Sequence, residues 1–150
     1  MLSVRPSAVI EAPMERVWLL LTREAGFDYW TEAVVVAVEP EGAARPGQLL
    51  HVVTRALGWA FAVTIEVREV DAERRRLRFT AQLPFGVVND QVMSVSGSED
   101  GRAAVLFDCG LSYPPGWRGW TVRLLARGLR RGPAAALARL KRAAETAAAA

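Results

Sequence analysis

Cysteine and histidine are nearly missing from this chain of 150 residues, which has one of each, Cys109 and His51. A lone cysteine forms no intrachain disulfide, and one thiol with one imidazole gives no spacing for zinc or another transition metal. No metal and no cofactor are therefore expected. Proline (8) and glycine (12) are too few and too scattered for a fibrous or disordered chain, and the 51% hydrophobic with 23% charged content fits a globular one. No uninterrupted apolar run approaches the roughly 18 residues of a membrane helix, and "MLSVRPSAVIEAP" lacks a secretory signal's charged start and cleavage site. A soluble, cytoplasmic protein is expected. Also missing are a glycine-rich phosphate loop, a nucleophile elbow, and any helix-turn-helix, ribonucleoprotein or zinc-finger pattern. Specific nucleic-acid recognition is not expected.

What is present is alternation. "AVIEAPMERVWLLLT" opens as a strand over residues 4–12 and turns helical at Pro13, which suits a helix start because its missing N–H costs nothing there. Val17, Leu20 and Leu21 supply the apolar face, and "GFDYW" suggests a second short helix or a packed loop. From Val34 to Tyr113 strand-like runs alternate with turn signals over connections short enough for antiparallel neighbours. A two-residue turn at Leu57–Gly58 sets Phe61 opposite Thr54 and Val63 opposite Val52, with Trp59, Phe61, Val63 and Ile65 on the buried face and His51 and Arg55 outside. Leu77, Phe79, Ala81 and Leu83 continue that face, as do Val105, Phe107, Cys109, Leu111 and Tyr113.

Charge is uneven. From Trp117 onward eight basic residues face one acid, a net +7, and residues 1–116 carry −4 of the overall +3. Helical spacing returns there, with Trp120, Thr121, Leu124, Leu125 and Leu129 on one side and Arg123, Arg127, Arg130 and Arg131 on the other. Gly132–Pro133 should kink or break this helix before Leu137, Leu140 and Ala144 resume the stripe.

This order resembles the START-like (SRPBCC, helix-grip) superfamily, polyketide cyclase/dehydrase-like branch. The residues that carry the likeness are Ile10 with "APMERVWLLLT", the "FDYW" ending at Trp30, Gly47, "VREVDAERRRLRF" (67–79) and "ALARLKRAAE" (136–145). The resemblance implies an α+β fold in one domain, 1–150, in which a curved antiparallel sheet of about six or seven strands grips a long C-terminal helix. It also implies two short helices after strand 1 and a cavity for lipids, polyketides or other apolar molecules.

Within that frame Phe61, Phe79, Met93, Phe107 and Leu124 are candidate apolar ligand contacts, and Trp59, Trp117 and Trp120 candidates for the cavity entrance. If odd positions of strand 87–95 face inward, Asn89 and Gln91 enter the cavity, with Tyr113 at its mouth; the opposite parity buries Asp90 as a base. No catalytic residue is assigned. Cys109 reads as a small core hydrophobe and His51 as an outward side chain. Three functions follow: binding of a small hydrophobic ligand, a cyclase or dehydrase using the same cavity, or a chaperone-like or quinone-associated interaction protein. The arginine face is expected to make at most weak contact with anionic membrane.

Overall fold

A computed structural model describes residues 1–23, 33–56 and 58–149 of the chain. The strands are β1 (Leu2–Val4), β2 (Ser7–Ile10), β3 (Val34–Glu39), β4 (Leu49–Ala56), β5 (Trp59–Asp71), β6 (Arg76–Gln82), β7 (Val88–Gly97) and β8 (Ala103–Ser112). They form one antiparallel sheet in the order β1-β8-β7-β6-β5-β4-β3, with β2 also on β8. The helices are α1 (Met14–Thr22) and α2 (Trp120–Ala149). This is the α+β helix-grip arrangement.

Among the described residues there are eight strands rather than six or seven, because the expected strand over 4–12 is interrupted. Val4 pairs with Cys109 and Ser7 with Leu106, while between them the Pro6 carbonyl accepts the Phe107 N–H at 2.9 Å. Proline has no N–H to return, so the ladder lapses there and resumes. The expected second short helix lies in residues 24–32, outside the described residues.

The β4–β5 register is the expected one, Thr54 opposite Phe61 and Val52 opposite Val63, with Ala56 opposite Trp59. Gly58 holds φ +79, a conformation glycine adopts without a side-chain clash. Bulges interrupt the β3–β4 register between Val35 and Ala37 and the β5–β6 register between Val67 and Glu69. The second resets the parity of β5, so that Val67 and then Val70 face inward.

Pro13 stands at the N-cap of α1 rather than as its first helical residue, with ψ 144, and its carbonyl accepts Arg16 and Val17 N–H groups. Val17, Trp18, Leu20 and Leu21 are buried, and α1 packs on β7 and β8. α2 runs as one helix of 30 residues through Pro133, so of the kink or break expected at Gly132–Pro133 the break does not occur. Proline withholds one N–H from the Leu129 carbonyl. Buried Leu129 before it, and Ala136, Leu137, Leu140 and Ala144 after it, hold both halves in place as α2 packs against β1, β2, β8 and α1.

A polar latch joins the far end of α2 to the β2–α1 turn. Lys141 Nζ donates to the Val9 carbonyl at 2.9 Å, and Glu145 Oε1 accepts the Glu11 N–H at 3.0 Å. Glu11 in turn pairs with Arg102, which also holds Asp100. The Lys141 ammonium, then the Glu11 N–H, lowers the Glu145 pKa. Arg102, then the Ser98 hydroxyl, lowers that of Asp100. Carboxylates with lowered folded-state pKa values stabilise the fold above their ordinary range near 4 and lose that contribution as pH falls through the folded values. The melting-temperature difference between the wild type and Glu145→Gln is therefore expected to be full at neutral pH and to shrink as pH falls through the ordinary carboxylate range and below it, read by thermal melts across pH.

Candidate functional site

The inner face of the sheet is read by cross-strand rows. One runs Leu50–Ile65–Ala81–Asn89–Leu111–Leu2 from β4 to β1, and the next runs Val67–Phe79–Gln91–Cys109–Val4. Asn89 and Gln91 thus share a face with buried Met93 and Val95, the odd-inward parity of β7. Asp90 points the other way and is exposed, accepting the Thr80 hydroxyl at 2.7 Å; Arg68 also donates to that hydroxyl at 3.3 Å. The parity that would make Asp90 a buried base does not occur.

Two buried side-chain polar atoms among the described residues lack a hydrogen-bond partner, Arg75 Nε and Asn89 Oδ1. Arg75 is tied through its other nitrogen to Glu15 of α1, so its guanidinium already has an anionic partner. Asn89 Oδ1 has none; of its same-face neighbours Val87, Ala81 and Leu111 are apolar and buried, and Gln91 is polar and half-buried. A buried acceptor without a partner costs about 1–3 kcal/mol, so a donor brought to this oxygen of the half-buried Asn89 gains a hydrogen bond at little cost.

The other candidates separate into three groups. Phe79, Met93 and Phe107 are essentially fully buried in the core, the two rings 6.3 Å apart between centroids. Phe61, Tyr113 and Trp117 are half-buried, the last two packed against that core from the β8–α2 connection. Tyr113 lies near the Asn89 end of β7, since Ser112 pairs with Val88. Trp59 and Trp120 are each 71% exposed and Leu124 38% exposed, so all three are solvent-facing rather than part of an enclosed wall. Sequence reasoning offers an inward Asn89 as one of two parities; that this parity holds and that the Asn89 carbonyl lacks a partner are visible only in the structure. Equally outside the reach of sequence reasoning is a groove of about 440 Å³ lined by Val34, Val36, Val53, Thr54, Arg55 and Ala60, most of them on the outer face.

Cys109 is fully buried, and burial, helped by the Asp108 carboxylate, pushes its thiol up to about 12. It is a neutral core side chain at physiological pH. His51 is on the outer face, 3.2 Å from the Glu39 carboxylate. Among the described residues no three His, Cys, Asp or Glu side chains converge as a metal site requires, and no helix is long and apolar enough to cross a membrane.

The model of the family described as polyketide cyclase/dehydrase and lipid transport matches residues 1–145. The chain belongs to that family. A search of curated proteins found no match. Among solved structures, TTHA0849 from Thermus thermophilus is 23% identical, covering 99% of this chain and 100% of its own, with a TM-score of 0.73. A START superfamily protein from Mycobacterium smegmatis is 16% identical over 97% of this chain and 98% of its own, at 0.71. The Zhui aromatase/cyclase from Streptomyces sp. R1128 is 15% identical over 98% and 95%, at 0.72. At these identities the family member shares their START-like fold; the likeness carries no residue roles.

Proposed function

We propose that this polyketide cyclase/dehydrase-family chain, acting as one domain, binds a small, mainly apolar molecule between the inner sheet face and α2. A hydroxyl on that molecule donates to Asn89 Oδ1. The carrying observation is that oxygen, buried and unmatched in an apolar row. A ligand hydroxyl converts its cost into a hydrogen bond in a site of low polarity, where such bonds are strongest. Phe61, Gln91, Tyr113 and Trp117 are the further side chains proposed to touch the ligand at the same end of the sheet.

Membership of a family whose description includes cyclases and dehydrases supports a second reading, ring closure or dehydration of a polyketide-like chain in the same place. Binding is favoured because the exposed position of Asp90 removes the one carboxylate that sequence reasoning offered as a base.

Native mass spectrometry of the freshly purified protein, followed by titration with β-naphthol, tests the reading. A saturable one-to-one complex is expected. Absence of both a co-purified small molecule and any naphthol complex would end it.

A further inference from the structure

Three exposed aromatic side chains stand at one end of the molecule on three different elements. Trp59 follows the β4–β5 turn and is 71% exposed; Phe85, in the β6–β7 turn, is 75% exposed; Trp120 starts α2. The topology brings these elements to one end. β6 stops at Gln82 opposite Thr64, leaving the Trp59 end of the β4–β5 hairpin projecting past it, and β8 ends at Ser112 opposite Val88. The β6–β7 turn is against the β8–α2 connection, since a Cβ on Gly86 would lie 3.3 Å from Pro114 Cγ.

From this end α2 presents a stripe of exposed residues at i, i+4, i+7 and i+11: Trp120, Leu124, Arg127 and Arg131. Helical geometry puts all four within about 60° of one line, the arginines about 10 and 16 Å behind the tryptophan. Arg123 and Arg130 flank the stripe and are exposed, and the sequence holds no acidic residue between Asp108 and Glu145. Apolar groups leading and cations following, on a helix that carries no acid of its own before Glu145, match the layering of a bilayer surface. Indole and phenyl rings enter the headgroup region, and guanidinium groups meet lipid phosphates. Leucine and phenylalanine beside the tryptophans favour a lipid surface over nucleic acid or an acidic protein, because their gain comes from leaving water rather than from a directed contact.

We propose that this end of the molecule, Trp59, Phe85, Trp120 and Leu124 with Arg127 and Arg131, docks on an anionic phospholipid bilayer. The inference is independent of what the interior binds.

Co-sedimentation with phosphatidylcholine vesicles, with and without phosphatidylglycerol, tests it. The wild type is expected to partition at least about tenfold more strongly onto the anionic vesicles, and to be released by high salt. Trp120→Ser with Leu124→Ser, and separately Arg127→Glu with Arg131→Glu, should each lower that partition about tenfold or more. Trp59→Ser with Phe85→Ser, on different elements, should lower it in the same direction. Wild-type protein remaining in solution with anionic vesicles would overturn the proposal. So would vesicle binding untouched by all three variants, or an oligonucleotide being retained where vesicles are not.

Discussion

Phe79→Ala is expected to lower the free energy of unfolding by about 3–5 kcal/mol, and the midpoint of thermal unfolding by roughly 10 °C for a chain of this length. Phe79 is 1% exposed, pairs with Gln91 and Val67 across the sheet, and lies against Phe107. Truncation removes most of a ring from a packed interior and leaves a void that neighbours fill only in part. A ring lining an open hollow would lose only its transfer free energy, about 1.5–3 kcal/mol, because space already stood on one side of it. Denaturant unfolding with an unchanged slope distinguishes the two magnitudes. A loss at the lower figure would return Phe79 to the wall of the cavity and enlarge the site toward β6.

Asn89→Leu is expected to act in opposite directions on stability and on binding. Leucine nearly matches asparagine in shape, so replacing an unpartnered buried acceptor by an apolar group should raise the stability of the unliganded protein by about 1–2 kcal/mol. Affinity for β-naphthol should fall about tenfold or more, since its hydroxyl loses the acceptor. The methyl ether of the same ring system, which cannot donate, should bind the variant at least as well as the wild type. Calorimetric titration of both compounds with both proteins gives the comparison. Equal losses for alcohol and ether would mean that the substitution changed the shape of the site and not its hydrogen bonding. Loss of stability in the variant would mean that Asn89 already has a satisfied partner.

The facing of β4, β5, β6 and β8 is legible in the sequence because alternation has a period of two and the turns are short, with Gly58 fixing the β4–β5 register. The facing of β7 is not, since its polar residues at 89, 90 and 91 allow either parity; burial of Met93 and Val95 in the structure carries Asn89 and Gln91 inward. What alternation does not encode is how far the cover extends along a face. Trp59 has the parity of Val63, yet Val63 is 7% exposed and Trp59 71%, since the hairpin runs past the end of β6. Local rules also yield to packing. Pro133 reads locally as a break, but buried side chains on both flanks hold the helix across the missing hydrogen bond. Asn89 shows the remaining gap most clearly: a sequence names a polar residue on an inner strand, whereas the lack of a partner depends on every neighbour at once.

Everything proposed for the interior turns on the Asn89 carbonyl as the polar contact of an otherwise apolar ligand site. NMR of the Asn89 side-chain amide during addition of β-naphthol probes that contact without an intermediary. Saturable shifts at Asn89 are expected, with Tyr113 and Trp117 responding at the same midpoint. Saturation with Asn89 unmoved, or shifts confined to Trp59 and Trp120, would contradict it.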